Sequence, residues 1–306
     1  PDAVRSAMVR GHAIVPAFGR RITDVLKSML RPALIPDRGK SLVVADWAAV
    51  EARVNPWLSN CPAGVRKLDL FRTGEDVYKV NASATFHVPV DQITSEQRQI
   101  GKVQELACGF AGGVGAFAAM GRAYGILLPE PEAKRMVNAW RQANPWSVPY
   151  WQDLESAYTR AMRNKGHEFR AGRVTYLFDG QHLWYSLPSG RVLCYPFARL
   201  EKIYDGNMYQ LHITTMEYVE RKSYQWGITY AKSAWKPAAD AKEWPRARLW
   251  KGLACENITQ AVANDLLRHA LRCLDDVVLH VHDEIVVESA TPEIAVQKMK
   301  DVMCTP

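Results

Sequence analysis

Two aspartates that lie far apart in the chain each follow a short apolar run typical of a β-strand. They are Asp46 and Asp283, and each has another acid close by in sequence, Glu51 and Glu284 respectively. An ionised carboxylate beside a buried strand is costly unless another charge compensates it. Paired acids of this kind indicate that the compensating charge is a divalent cation, which prefers carboxylate oxygens as ligands.

Each aspartate also has an ordinary structural explanation. Asp46 would serve equally well as the N-cap of a helix that carries Glu51 and Arg53. Asp283 would suit a hairpin tip through its turn chemistry alone. His282 and Glu284 beside it are unusual turn residues within so apolar a run, which favours a functional site there. For Asp46 both interpretations stay open at the level of sequence.

A helix with two cations on one side is predicted over residues 94–110. Thr94 and Gln97 form a capping box, which marks the start of this helix. Two cations and then two apolar residues recur at every fourth position on one side of it: Arg98, Lys102, Leu106 and Phe110. The helix dipole disfavours cations in the first turns. Their presence there favours an anionic ligand, such as a triphosphate, that compensates them. The alternative is a solvated basic patch that grades into the core.

The elements that carry these residues follow from periodicity and turn signals. The expected elements are a helix at 22–30, a strand at 41–46, a largely helical stretch at 47–165, a hairpin at 173–187, a helix at 252–274 and a strand-turn-strand at 277–288. Asp179-Gly180 is the turn signal of the hairpin. Residues 205–250 are polar, aromatic and basic and show no clear period. A G-x-G-x-x-A run at 113–118 is interpreted as a helix break and loop, because no strand precedes it.

Length and composition indicate a folded protein with a basic surface. The chain has 306 residues, room for one large domain or a few subdomains. Its net charge of +7 favours a polyanionic partner. The six cysteines are scattered without a C-x-x-C pair, which argues against zinc and for a reducing compartment. No apolar run reaches membrane-spanning length, and P-loop, H-E-x-x-H and G-x-S-x-G motifs are absent.

In this order, the segments resemble the polymerase region of the family A DNA polymerases, the DNA polymerase I type, and especially its phage branch. The family pattern D-Y-S-x-x-E-x-R is similar to Asp46–Arg53, and R-x-x-x-K-x-x-x-F-G-x-x-Y-G is similar to the run from Arg98 to Ala111. V-H-D-E corresponds to Val281–Glu284, and Glu256–Ala261 resembles the helix that ends in a minor-groove-reading Gln. Each motif alone is weak, but the ordered set covers residues from about 20 to 290.

The resemblance implies a two-metal nucleotidyl transfer in which Asp46, Asp283 and Lys102 are the catalytic residues. Asp46 and Asp283 would bind two Mg²⁺ ions, for which Mn²⁺ is a substitute. The backbone carbonyl of Trp47 and the carboxylate of Glu284 are the further candidate metal ligands. Lys102 is also the candidate proton donor.

The resemblance also implies which residues contact the deoxynucleotide and the DNA. The dNTP-binding residues would be Arg98, Lys102, Glu51, Leu106, Phe110 and His282. The primer-template residues would be Gln260, Arg53 and Asn257. Within this set, Glu51 would crowd the sugar 2′ position and exclude ribonucleotides.

This sequence departs from the family pattern at several of these positions. Leu106 stands where the family has a ring that stacks, so nucleotide discrimination is expected to differ. Phe110 stands in place of Tyr and lacks the hydroxyl that usually pairs with the acid equivalent to Glu51. Ala107 and Ala111 replace glycines, Glu256 replaces the Asn four residues before Gln260, and Trp47 replaces Tyr.

The fold that the resemblance implies is α+β, with a palm built on a small antiparallel sheet and mainly helical fingers. The expected organisation is palm at 1–55, fingers at 56–200 with a hairpin subdomain at about 170–195, and a return to the palm at 201–306. The chain begins Pro1-Asp2-Ala3, so it is expected to be a piece of a longer protein, with the thumb and any exonuclease domain upstream and absent here.

The expected partners are a DNA primer-template and dNTPs, with weak primer-template binding by this piece alone. We expect a monomer with no membrane contact, in the cytoplasm, which is the host bacterial cytoplasm if a phage encodes the protein. Three alternatives stay open. They are a single-subunit RNA polymerase, which Glu51 disfavours; a metal-dependent nuclease, which leaves the Arg98–Lys102 helix without a purpose; and a non-catalytic nucleic-acid-binding module, which the intact aspartates disfavour.

Overall fold

The structure, a computed structural model, describes part of the chain. The described residues are 6, 27–211, 218–233 and 244–304, with only the backbone for 207–211 and 218–221. Most of the helix expected at 22–30 lies outside them, and residues 27–30 are helical. The chain forms two compact units. The first unit comprises Pro1–Ala48 and Leu266–Pro306, and the second unit comprises Ala49–Asp265.

Helices and short antiparallel strands alternate along the chain. The helices are α1 (Val50–Ser59), α2 (Pro62–Arg72), α3 (Val77–Phe86), α4 (Ser95–Cys108), α5 (Val114–Ala123), α6 (Glu130–Ala143), α7 (Ser147–Arg163), α8 (Lys251–Cys273) and α9 (Pro292–Cys304), with short 3₁₀ turns at Arg31–Ala33 and Val90–Gln92. The strands are β1 (Ser41–Asp46), β2 (Glu168–Ala171), β3 (Val174–Phe178), β4 (Leu183–Ser186), β5 (Val192–Tyr195), β6 (Arg199–Leu211), β7 (Tyr218–Ala231), β8 (Arg246–Leu249), β9 (Val277–Val281) and β10 (Glu284–Ser289).

The first unit is a three-stranded antiparallel sheet packed against helices. The strand order is β1–β10–β9, and β9 and β10 form a hairpin. Because side chains alternate along a strand, Val43, Ile285 and Val287 share one face, and they form a buried core with residues of α8 and α9. The strands expected at 41–46 and 277–288 and the helix expected at 252–274 are confirmed.

The second unit begins with the helices α1 to α7, as the sequence predicts for residues 47–165. Trp140 is fully buried and lies within 6.3 Å of both Trp146 and Trp151, measured between ring centroids. The hairpin expected at 173–187 is confirmed as β3 and β4, and it belongs to a four-stranded sheet in the order β2–β3–β4–β5. The loop expected at 113–118 is only partly correct, because α5 begins at Val114.

A second antiparallel sheet in this unit was not predicted from the sequence. Strands β6 and β7 form a long two-stranded ribbon, and β8 pairs with the end of β7. With three small antiparallel sheets and many helices, the α+β class is confirmed. Among the described residues, none of the helices has the length and hydrophobicity needed to cross a bilayer.

Candidate functional site

The two aspartates lie at neighbouring strand ends of the first unit. Asp46 is the last residue of β1 and pairs in register with Glu284, the first residue of β10. Asp283 directly precedes Glu284 in the turn that joins β9 to β10. Directly opposed residues of antiparallel strands have Cα atoms about 4.5–5.5 Å apart. The register therefore brings the backbones of Asp46 and Asp283 together, as the sequence predicts.

The acids of β1, of β10 and of the turn before β10 fall into two classes. Glu284 accepts a hydrogen bond from Arg31 at 2.6 Å, and Glu288 accepts one from Lys40 at 2.8 Å. Among the described residues, the carboxylates of Asp46 and Asp283 have neither a hydrogen-bond nor an ion-pair partner, and Asp46 is exposed. The two aspartates are therefore the acids available to a ligand, whereas Glu284 is already engaged.

The donors at this edge suit a hard cation such as Mg²⁺. Mg²⁺ usually takes one or two protein carboxylates and completes its octahedron with water and substrate phosphates. Nowhere in the described parts of the chain do three His, Cys, Asp or Glu side chains come together as a group that could hold a metal. Two accessible carboxylates without a third ligand fit an ion that is shared with a substrate, not an ion enclosed by protein.

The helix-capping explanation of Asp46 is wrong. Helix α1 begins at Val50, its N-cap is Ala49 in the left-handed conformation, and it has no side-chain cap. Between Asp46 and Ala49, the side chain of Trp47 is held in place, because its Nε1 donates to the backbone oxygen of Met303 at 2.9 Å. The carboxylate of Asp46 therefore has no structural function at the start of the helix.

Arg98 lies in the first turns of α4 and is already held by two neighbours. The capping box of Thr94 and Gln97 is present, as expected. Arg98 Nε donates to Asp76 Oδ2 at 2.6 Å, and its guanidinium lies 5.2 Å from the centroid of the Tyr78 ring. Burial raises the pKa of the Asp76 carboxyl, but hydrogen bonds from Arg98 and from backbone N–H groups lower it more, so this pKa falls below its usual value.

Asp76 and Tyr78 are functional candidates that the sequence analysis missed. Asp76 is the N-cap of α3 and accepts from the backbone N–H groups of Tyr78 and Lys79. The sequence contains a signal for that cap, since an Asp precedes a helical run. Its ion pair with Arg98 spans 22 residues and cannot be inferred from local spacing.

The other three residues predicted on that side of the helix have different surroundings. Lys102 is half-buried, with its Nζ 5.1 Å from the centroid of the Tyr124 ring, and Leu106 is also half-buried on α4. The placement of Phe110 on the same helix is wrong, because α4 ends at Cys108 and Phe110 lies in the turn that follows. Asn55 Nδ2 donates to the backbone oxygen of Gly109 at 2.7 Å, which fixes the chain just beyond the helix end.

A buried polar cluster anchors α4 and was also missed. Glu105 Oε2 accepts from Lys67 at 3.1 Å, from Asn81 at 2.6 Å and from Trp140 at 3.0 Å. The side chains of Lys67 and Glu105 are only 5% and 6% exposed. A buried charge is tolerated when it is paired and hydrogen-bonded, as here. Its sequence signal was Glu105 itself, a charged residue between the apolar positions Val103 and Ala107 of the helix.

The structure brings Glu51 and Gln260 together, since Gln260 Nε2 donates to Glu51 Oε1 at 3.1 Å. The other two predicted DNA-contacting residues have separate neighbours. Arg53 lies over the Phe71 ring at 4.1 Å, and Asn257 donates to the hydroxyl of Tyr195 at 3.1 Å. His282 lies exposed in the β9–β10 turn in the left-handed conformation, next to Asp283.

Comparison with known proteins identifies sequence relatives of this chain. Residues 16–179, more than half of the chain, match the family model described as DNA polymerase family A. The chain is 34% identical over 314 residues to the DNA polymerase of Bacillus phage SP02, across 100% of this chain and 44% of that protein. It is 30% identical over 122 residues to DNA polymerase I of Mycobacterium tuberculosis strain H37Rv, across 40% of this chain and 12% of that protein.

A solved structure is also similar. It is the POL domain of Pol1 from M. smegmatis, in complex with DNA primer-template and dNTP. The TM-score is 0.55 with 18% sequence identity, and the match covers 89% of this chain and 38% of that chain. At this identity the likeness supports the fold. The chain spans less than half the length of the phage relative.

Proposed function

Because this chain belongs to DNA polymerase family A, we propose that it catalyses the template-directed addition of deoxynucleotides to the 3′ end of a DNA primer. The observation that carries the proposal is the pair of partner-free aspartates: Asp46 pairs in register with Glu284, the residue that directly follows Asp283. Folding alone gives no reason to place two unpaired acids together, whereas a cation-binding site does.

Asp46 and Asp283 would hold two Mg²⁺ ions, with the backbone carbonyl of Trp47 as a further ligand. When bound, such ions activate the primer 3′ hydroxyl and stabilise the charge on the leaving pyrophosphate. The aspartates contribute by remaining ionised, accessible and fixed at rigid strand ends. Glu284 would support them indirectly, since its carboxylate holds Arg31.

Arg98 and Lys102 would bind the triphosphate of the incoming nucleotide. Arg98 lies in the first turn of α4, where backbone N–H groups also favour an anion, and Lys102 lies one turn further along the same helix. Asp76 and Tyr78 keep the Arg98 guanidinium in place before the nucleotide arrives. Lys102 has no carboxylate partner among the described residues, so it would be free to donate a proton to the leaving pyrophosphate.

Selection of the sugar and of the base would rest on residues of the second unit. Glu51 would occlude the 2′ hydroxyl of a ribonucleotide, and Gln260 holds its carboxylate in place. Leu106 and Phe110 would lie beside the nascent base pair, where Leu106 offers contact without stacking. Gln260, Arg53 and Asn257 would contact the primer-template end, and His282 would contact the nucleotide.

The organisation into palm and fingers belongs to the same proposal. The palm would include β1, β9 and β10 with the aspartates, and the fingers would include α4 with its cations. The partners would be primer-template and dNTPs, with Mg²⁺ as the cofactor, in the cytoplasm of a bacterial host.

Primer extension tests the proposed function. The protein is mixed with a labelled primer-template, one dNTP at a time and Mg²⁺. We expect addition of only the dNTP that is complementary to the template base, and no addition in EDTA. Preference for ribonucleotides would point to an RNA polymerase, and DNA degradation without dNTPs would point to a nuclease. Tight DNA binding with no extension would favour a non-catalytic module.

A further inference from the structure

The β6–β7 ribbon presents a row of exposed rings and lysines on one of its faces. Lys202 pairs in register with Trp226, and Tyr204 pairs with Tyr224. Alternation along β7 places Lys222 on the same side as Tyr224 and Trp226. We call these five residues, Lys202, Tyr204, Lys222, Tyr224 and Trp226, the aromatic face. Tyr204, Tyr224 and Trp226 are 49%, 55% and 61% exposed, and both lysines are exposed.

Hydrophobic burial does not account for these rings. Further along the same side of the ribbon, Ile228 and Leu249 pair across β7 and β8 and are buried. Core packing therefore ends at that point, and the side continues outward with exposed rings. The Tyr204 and Tyr224 rings contact each other edge to face, with centroids 5.9 Å apart. Single exposed apolar residues are normal on a protein surface, but a contiguous row of rings marks an interaction surface.

The charges of the ribbon are divided between its two faces. Glu201 and Asp205 form ion pairs with Arg246 and Arg248, at 3.9 Å and 3.6 Å. The register places these arginines on the side opposite the aromatic face, because Arg248 pairs with Thr229 and not with Ile228. Both of these acids are therefore already paired with arginines. The five residues of the aromatic face are three rings and two lysines.

Lysines between exposed rings match the chemistry of single-stranded nucleic acid. Its unpaired bases stack on aromatic side chains, and its phosphates attract cations. Sheet surfaces in several RNA-binding modules bind bases in this way. A duplex hides the faces of its bases, so it would use the lysines but not the rings. We propose that the aromatic face of the ribbon binds single-stranded DNA through base stacking on Trp226 and Tyr224.

A binding titration of the whole protein with fluorescein-labelled oligo(dT), without dNTP or Mg²⁺, tests this proposal. Trp226→Ala should raise Kd about tenfold, and the Tyr224→Ala/Trp226→Ala double variant about a hundredfold, since each stacked base contributes substantially. Trp226→Phe keeps a ring and should stay within about threefold of the parent. Lys202→Ala should lower the slope of log K against log salt by about 0.7.

Gln225→Ala is the matched control, because Gln225 is exposed on the opposite side of the same strand. It should leave Kd unchanged, and circular dichroism should show the same fold for all variants. Equal oligo(dT) affinity of the parent and the double variant would overturn the proposal, and so would an equal loss in Gln225→Ala. The proposal would also be overturned if the double variant lost as much affinity for a blunt duplex as for oligo(dT). None of these measurements needs nucleotide addition, so failure of the proposed polymerase activity would leave them interpretable.

Discussion

The acidic strand ends and the cationic helix hold their candidate functional side chains in different ways. Asp46 and Asp283 are placed by backbone pairing, and their carboxylates have no partner among the described residues. Arg98 and Lys102 are placed by neighbouring side chains, namely Asp76, Tyr78 and Tyr124. Substitution of the aspartates should therefore change activity alone. Substitution of residues around α4 should change stability, nucleotide affinity or both.

The largest expected effect is at the aspartates. Asp283→Asn should lower the rate of primer extension about a thousandfold or more, because an amide carries no charge to hold a cation. The thermal midpoint should stay within about 2 °C of the parent, since no partner of the carboxylate is lost. Single-nucleotide extension on a labelled primer-template, together with a circular dichroism melt, measures both.

Glu288→Gln is the control for that variant, because Glu288 lies on β10, the strand that directly follows Asp283, and its carboxylate is bound by Lys40. It should keep the extension rate of the parent. If Asp283→Asn extends primers normally, or if Glu288→Gln is equally inactive, the distinction between partner-free and paired acids fails.

The next effect is on stability, in the cluster beneath α4. Lys67→Ala should lower the free energy of unfolding by about 3 kcal/mol, because it leaves the Glu105 carboxylate buried without a cation. Urea unfolding followed by tryptophan fluorescence measures it. Lys40→Ala breaks an ion pair in which the lysine is exposed, and should cost much less. Equal losses in the two variants would show that burial of the Lys67–Glu105 pair has no energetic consequence.

The same contrast explains what the sequence could predict. Strands β1, β9 and β10 and the start of α4 follow from local signals, namely apolar runs, turn residues and a capping box. These elements were predicted correctly because such signals specify the local backbone. The same backbone positions Asp46 and Asp283. The resemblance then supplied the roles of these residues, which spacing alone does not.

Features that depend on distant contacts were not predictable in this way. The four-residue spacing continues through Phe110, but the helix stops at Cys108, where Asn55 binds the next backbone oxygen. The partners of Arg98 and Glu105 come from other helices of the folded chain. The β6–β7 ribbon was missed for a different reason, because a local signal was present but not used: Tyr224, Trp226, Ile228 and Tyr230 alternate with small or polar residues along β7.

An intermediate effect is expected at Asp76. Asp76→Asn removes the charged partner of Arg98 and should raise KM for the dNTP about three- to tenfold, with a smaller change in kcat. Steady-state extension kinetics measure both. Because the pKa of Asp76 is lowered on folding, its ion pair stabilises the protein above the unfolded-state pKa and loses this contribution as pH falls through the folded-state pKa.

Asp69→Asn is the matched control for Asp76, because Asp69 forms an exposed ion pair with Arg72 that involves no candidate site residue. It should leave KM unchanged. A KM that rises equally in both variants would indicate a general effect of charge, and an unchanged KM in Asp76→Asn would show that Arg98 needs no positioning.

The smallest effect is expected at Gln260. The family resemblance pairs Glu51 with a ring hydroxyl that Phe110 lacks, and in this chain Gln260 donates to Glu51. Gln260→Ala should therefore raise incorporation of a ribonucleotide relative to the matching deoxynucleotide about two- to fivefold, the value of one exposed hydrogen bond. Competition between rNTP and dNTP for one template base measures this ratio directly.

Two further variants separate sugar selection from DNA binding. Glu51→Ala should raise the same ratio far more than Gln260→Ala does, because it removes the occluding side chain itself. The double variant Gln260→Ala/Phe110→Tyr supplies a hydroxyl as another candidate donor to Glu51. It should restore part of the discrimination against ribonucleotides. If Gln260→Ala instead raises KM for primer-template and leaves the ratio unchanged, Gln260 contacts DNA and Glu51 holds its position without help. In that case Glu51 would resemble the aspartates, whose position depends on the backbone alone.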